Sequence, residues 1–224
     1  MSPSKPELLI QRLGRIDYEA CAQLMQRAAS ELAEAREKKR LVPDLLFLCE
    51  HPSVYTQGLA GKPAHILEAL PYPLVQTNRG GQVTFHGPGQ LVAYPVFDLI
   101  RLNWGVRRLV SSIETAIIGT LGEFLPSTLL ATADPKAPGV YVEDAQNGTR
   151  LGKIASLGFK VSRGVSYHGL SINIETDLSA FSRINPCGFS GLTMLNLADL
   201  TEETPDLSTI YTTLSKHIRL AHSV

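Results

Sequence analysis

Between its helical stretches the chain is cut into short apolar runs by glycine and proline, and this punctuation constrains the fold more than any other feature. Runs at Leu45–Cys49, Val54–Thr56, Leu74–Thr77, Gln82–Phe85 and Leu91–Phe97 have the length of strands, not helices. The texture returns at Val140–Val142, Leu151–Val161 and Val165–Ile174, and Ser162-Arg163-Gly164 joins the last two as a tight-turn signal for a hairpin. Helical spacing marks Asp17 to about Lys39, where Cys21, Leu24, Met25, Ala28 and Leu32 share a face behind an Asp17 N-cap. It recurs from near Gly105 to Phe124, with Leu109, Ile113, Ala116, Ile117 and Leu121 inward. A final helix is expected from Thr204-Pro205, with the Thr as cap, carrying Leu207, Ile210, Tyr211, Leu214 and Ile218 inward. Strands cluster instead of alternating with helices, which argues against a doubly wound parallel sheet and predicts an α+β fold. Pro126–Pro138 reads as a surface excursion, and no linker divides residues 1–224, so one domain is expected.

Charge and cysteine content exclude several function classes. Lys+Arg and Asp+Glu are both 21, so nothing global favours nucleic acid as a partner. Lys38, Lys39 and Arg40 suit a helix C-terminus, where the macrodipole favours cations. No apolar run approaches the ~20 residues of a membrane span. The opening MSPSKPELLI lacks the charged and apolar regions of a signal peptide. Cys21, Cys49 and Cys187 form no CxxC pair, which argues for a reducing compartment, and a cytoplasmic location is expected.

Three segments carry chemistry. In Arg79–Gln90, five of twelve residues are Gly or Pro around a β-prone centre, so backbone can approach a ligand closely, and Arg79, Thr84 and His86 add donors. The segment matches neither the P-loop nor the dinucleotide-binding pattern. Lys153 interrupts the apolar run Leu151–Gly158. Two readings stay open: an outward lysine on an edge strand, or a buried lysine held for chemistry. Cys187 lies between Pro186 and Gly188, in a loop, whereas Cys21 and Cys49 fit ordinary core positions. A free thiol has a pKa of ~8.5, and a nearby ammonium favours the thiolate. A Cys–Lys pair is therefore a sensible acyl-transfer nucleophile, provided the fold joins residues 153 and 187.

Together RGGQVTFHGPGQ (Arg79–Gln90), GKIASLG (Gly152–Gly158), YHGLSINI (Tyr167–Ile174) and RINPCG (Arg183–Gly188) resemble the octanoyltransferases of lipoate biosynthesis over most of the chain. The resemblance implies a mixed β-sheet flanked by helices, similar to the biotin and lipoate protein ligase catalytic domain. It implies transfer of an octanoyl group from the phosphopantetheine thioester of octanoyl-acyl carrier protein to a lysine of lipoyl domains, those of 2-oxoacid dehydrogenase complexes and of the glycine cleavage H protein. Cys187 would carry the acyl-thioester and Lys153 would lower its pKa. Arg79, Gly80, Gly81, Gln82, Val83, Thr84, Phe85 and His86 would line the acyl pocket, with Ser156, Leu157, Gly158, Gly169, Leu170 and Ser171. No cofactor is expected, neither metal nor ATP.

Phe85 stands where Tyr is usual in this family and Ser171 where Ala is common. Backbone N–H groups near Cys187-Gly188 or Gly87-Pro88-Gly89 are candidate oxyanion donors. His86 and His168 are read as pocket and support residues, because a Cys–Lys pair already covers proton transfer. Arg101, Arg107, Arg108, Lys136, Lys160 and Arg163 are candidates for a basic rim facing an acidic carrier protein. The nearest competing reading is an ATP-dependent lipoate or biotin ligase, which needs no cysteine nucleophile. A non-catalytic binding module and a cysteine protease follow.

Overall fold

The apolar runs of the middle of the chain assemble into one seven-stranded sheet and a small three-stranded one. The computed structural model describes residues 7–223, leaving out the side chain of Cys187. In chain order the elements are β1 (Leu8–Arg15), α1 (Tyr18–Glu37), β2 (Asp44–Glu50), β3 (Val54–Gln57), β4 (Leu74–Gln76), β5 (Val83–His86) and β6 (Gln90–Val96). There follow α2 (Leu99–Leu102), α3 (Val106–Gly122), β7 (Leu129–Ala133), β8 (Val140–Asp144), β9 (Arg150–Ser162), β10 (Val165–Asn173) and α4 (Leu207–His222).

The large sheet runs β1-β2-β6-β10-β9-β8-β7, with β1 parallel to β2 and the other pairs antiparallel. Its central strands are buried on both faces, and the period of two sorts their side chains. Leu46, Leu48, Leu91 and Ala93 join the core under α3 and α4. Phe47, Cys49, Val92, Tyr94 and Val96 face α1. That double burial is why β2 and β6 read as nearly continuous apolar runs. The Asp17 cap forms as expected, its Oδ1 accepting from Glu19 N–H at 2.9 Å. The β9–β10 hairpin turns through Arg163 (φ 48°) and Gly164 (φ 76°), both left-handed, as in a primed turn.

Two sequence expectations change. Residues Pro126–Pro138 contain β7, so the stretch is an edge strand with a loop. The last helix starts at Leu207, capped by Asp206, whose carboxylate accepts from both the N–H and the hydroxyl of Thr209, so Thr204 is not the cap. Strand β1, whose apolar opening Leu8–Ile10 gives way to Gln11 and Arg12, has no counterpart among the strands expected from sequence.

The small sheet, β4-β3-β5, supports a satellite core of Tyr55, Val83 and Phe85 against Ala180, Phe181 and Ile184. That core anchors the 3₁₀ turn Leu178–Arg183 and, just after it, the short 3₁₀ turn Pro186–Gly188. Two backbone bonds add to the hold: Leu67 N–H to Arg183 O at 2.8 Å and Asn185 N–H to His65 O at 2.9 Å.

Candidate active site

Strands β9 and β10, the Arg79–Thr84 limb and the first turns of α3 enclose a cavity of about 450 Å³, within the size range of small-ligand pockets. Arg79 through Thr84, His86, Lys153, Ser156 through Gly158 and Gly169 through Ser171 all line it. Tyr18, Tyr94, Val106, Val110, Phe159 and Phe189 also line it, and nothing in their local sequence marks them. Phe85 departs from the expectation. Alternation along β5 turns its ring into the satellite core, edge-on to Phe181 at 5.8 Å, so it supports the segment that leads to Cys187 and not the cavity wall.

Burial rules out one of the two readings of Lys153, the outward lysine on an edge strand. β9 lies between β10 and β8, and Lys153 is 0% exposed. Its Nζ donates to the Pro138 carbonyl at 2.8 Å and sits 5.2 Å from the Tyr141 ring centre. A buried lysine is costly unless its polar end is partnered, and the Pro138 carbonyl and the Tyr141 face supply partners. The backbone of Lys153 donates to Thr193 O at 2.8 Å and accepts from Leu195 N–H at 2.9 Å. The chain six to eight residues beyond Cys187 is thus tied directly to the backbone of Lys153. The Cys187 side chain itself lies outside the described residues.

Arg79 works differently from a free donor. The residue is 8% exposed, and its guanidinium donates to the carbonyls of Thr56 (2.6 Å), Gly80 (2.8 Å) and Gln82 (2.8 Å) and to the Thr56 hydroxyl (2.9 Å). It clips the glycine-rich limb into shape from within. Two candidate oxyanion donors are also engaged: Gly89 N–H donates to Glu50 Oε1 at 2.8 Å and Gly188 N–H to Asn185 O at 3.0 Å.

Both motif histidines are held neutral by burial. Burial, then His51 and Arg79, push His86 down to about 3, against a hydrogen bond with Gln90 that pulls the other way. Burial, then Arg79 and Lys160, push His168 down to about 4. Hydrogen bonds fix their tautomers. Gln90 Nε2 donates to Phe85 O and Asn173 Oδ1, so Gln90 Oε1 must accept from His86 Nδ1–H at 2.7 Å. Asn78 Nδ2 donates to the Tyr167 hydroxyl, so Asn78 Oδ1 accepts from His168 Nε2–H at 2.6 Å. Behind the cavity, donor atoms of Cys21, Cys49 and His51 lie within 4.8 Å of one another. Here the Cys21 sulfur and burial push the Cys49 thiol far up, while His51 Nδ1–H donates to Ile16 O at 2.7 Å and Nε2 accepts from the Tyr94 hydroxyl at 2.7 Å. These groups serve as hydrogen-bonded core.

The architecture is that of lipoate and biotin ligase catalytic domains. It resembles a bipartite lipoate protein ligase from Thermoplasma acidophilum with TM-score 0.61 at 12% identity, covering 97% of this chain and 83% of that one. It also resembles the biotin protein ligase of Aquifex aeolicus in complex with biotin and ATP, TM-score 0.54 at 11% identity, covering 96% and 70%. The chain belongs to the lipoyl protein ligase A/B catalytic domain family, whose model matches residues 18–219. Among its relatives, an octanoyltransferase of Cellvibrio japonicus is 50% identical over 202 residues, covering 90% of this chain and 86% of the relative. An octanoyltransferase of Ectopseudomonas mendocina is 42% identical over 214 residues, covering 96% and 97%. The chain is an enzyme, an acyltransferase. Among the described residues no helix is long and apolar enough to cross a membrane.

Proposed function

We propose that this enzyme moves an octanoyl group from octanoyl-acyl carrier protein to a specific lysine of lipoyl domains, through a thioester on Cys187. The observation that carries this is a wholly buried lysine, Lys153, on the wall of an apolar cavity, its backbone tied to the segment that follows Cys187. Lys153 takes the Cys187 proton as the thiolate attacks the donor thioester. The C–S bond to phosphopantetheine breaks as the C–S bond to Cys187 forms, and the phosphopantetheine thiolate leaves with the proton that Lys153 returns, which frees the Lys153 amine for the second half-reaction. This exchange is nearly isoenergetic, so the reading requires no nucleotide and no metal. In the second half-reaction the acceptor lysine's amine attacks the thioester, Lys153 accepts its proton, and the amide forms downhill as Cys187 leaves. Val110, Leu157 and Leu170 on the cavity wall offer the acyl methylenes an apolar surface, worth ~0.8 kcal/mol for each one buried. The partners under this reading are the carrier protein and the lipoyl domains of 2-oxoacid dehydrogenase complexes and the glycine cleavage H protein, met in the cytoplasm.

Intact mass spectrometry after mixing with octanoyl-acyl carrier protein, without ATP, tests it. The expected result is a gain of one octanoyl group, absent in Cys187→Ser and discharged by a lipoyl domain. Product formation without any adduct, or only with ATP, would replace this reading with the adenylate-forming ligase one.

A further inference from the structure

One peptide unit beside Lys153 is gripped from both sides. Its carbonyl, that of Pro138, accepts from Lys153 Nζ at 2.8 Å. Its N–H, that of Gly139, donates to Glu114 Oε1 at 2.9 Å. Glu114 sits in the middle of α3, where a carboxylate has no capping role, and it is 8% exposed. Burial pushes its carboxyl up, while the Gly139 N–H and the Lys153 charge pull it down. The peptide has no freedom to be elsewhere. Gly139 has φ +139°, and a Cβ there would fall 2.3 Å from Lys153 Cε and 2.7 Å from Nζ, so only glycine lets backbone lie against the amine. The Tyr141 hydroxyl holds the preceding carbonyl, Ala137 O, at 2.8 Å.

We propose that Glu114 is a positioning residue for Lys153, acting through the Pro138–Gly139 peptide. This rests on Lys153 being the acid–base partner of the transfer proposed above. An acceptor oxygen on the N–H polarises the carbonyl at the other end of the same peptide and strengthens it as an acceptor. It also fixes the direction of that carbonyl, and so the place of an amine whose four-carbon stem would otherwise sample many rotamers. A misplacement of 1 Å in such a group costs about 100-fold in rate.

The test compares Glu114→Ala, Glu114→Gln and Glu114→Asp in the full chain, each with its melting temperature, and repeats Glu114→Ala in a Lys153→Ala background. The readout is single-turnover acyl transfer from octanoyl-acyl carrier protein, with kcat and KM. Glu114→Ala is expected to lower kcat about 10- to 100-fold with KM unchanged. Glu114→Gln keeps an oxygen on the Gly139 N–H and retains most of the rate. Glu114→Asp falls one methylene short and is slow. In the Lys153→Ala background, Glu114→Ala costs nothing further. Wild-type kcat in Glu114→Ala, or the same loss in both backgrounds, overturns the proposal. If Glu114→Ala does not fold, the Gln and Asp variants decide: a slow Gln beside a fast Asp overturns it. A Lys153→Ala enzyme with wild-type rate would strike the proposed function itself, whatever Glu114 does.

Discussion

His86 and His168 are neutral imidazoles in a buried network, and this has a thermodynamic consequence at the scale of single residues. Both have folded-state pKa values pushed below the usual 6.5, to about 3 and about 4. His51 is lowered as well, again chiefly by burial. A histidine lowered on folding binds fewer protons in the native state than in the unfolded one between those values. Stability is therefore whole above pH 6.5 and falls as pH drops toward 4. For each of His86 and His168 the loss by pH 5 is at most about 2 kcal/mol, since one pH unit corresponds to about 1.4 kcal/mol. Urea unfolding at pH 7.5 and pH 5 checks this: His86→Gln and His168→Gln variants should each show a smaller drop than the parent. A parent whose stability does not fall over that interval would mean that these imidazoles are solvated. Neutral, bonded histidines also suit support better than proton transfer, so the pH dependence of acylation should carry no histidine near 6.5.

At the scale of elements, β6 and β10 show how far sequence could lead and where it stopped. Pro95 lies inside β6, a central strand, where a proline forfeits a ladder hydrogen bond. β10 accommodates it by leaving the ladder. Pairing between the two strands covers Leu170–Asn173, and His168 adopts φ 57° just before it. The Ser166 hydroxyl then bridges the gap, donating to Pro95 O at 3.0 Å and accepting from Phe97 N–H at 3.1 Å. Gly169 sits at the closest approach, where a Cβ would fall 2.0 Å from Ala93 O and 2.8 Å from Pro95 Cδ. Overpacking a core typically costs about 1–3 kcal/mol. Gly169→Ala should therefore lower the melting temperature by roughly 2–12 °C at the ~2–4 °C per kcal/mol of a chain this long, and an unchanged melt would show that the strands separate easily. Strands and helices with one dominant environment were legible in sequence: α1 and α3 by helical period, β2 and β6 by apolar runs. Edge strands β1 and β7 were not, because Gln11, Arg12 and Arg15 break the apolar opening of β1 and because β7 is five residues long in a stretch whose prolines read as loop. Lys153 and the glycine-rich limb announced themselves as anomalies. Glu114 did not, since a glutamate inside a helix is the commonest of residues and only tertiary packing gives it a task.

At the scale of the molecule, zero formal net charge leaves association to local patches. Two of the basic residues first considered for a rim are committed elsewhere. Arg101 pairs with buried Asp44 at 2.6 Å, and Arg163 pairs with Glu37 at 2.8 Å. Arg107 and Arg108 remain exposed on the first turn of α3, beside Val106 on the cavity wall, and Lys136 lines the same cavity. Arg108 also lies 5.3 Å from the Trp104 ring, a contact that needs no charge partner. An acidic carrier presenting its acyl arm to the cavity would meet these cations first, and exposed charges act on encounter more than on the bound state. The double reversal Arg107→Glu/Arg108→Glu should raise KM for octanoyl-acyl carrier protein and flatten its dependence on ionic strength. The same variant should use a small soluble octanoyl thioester as well as the parent does, because the cavity and Lys153 are untouched. Equal salt dependence in variant and parent would move the docking surface away from α3, and impaired use of the small thioester would mean that the reversal had disturbed the cavity itself.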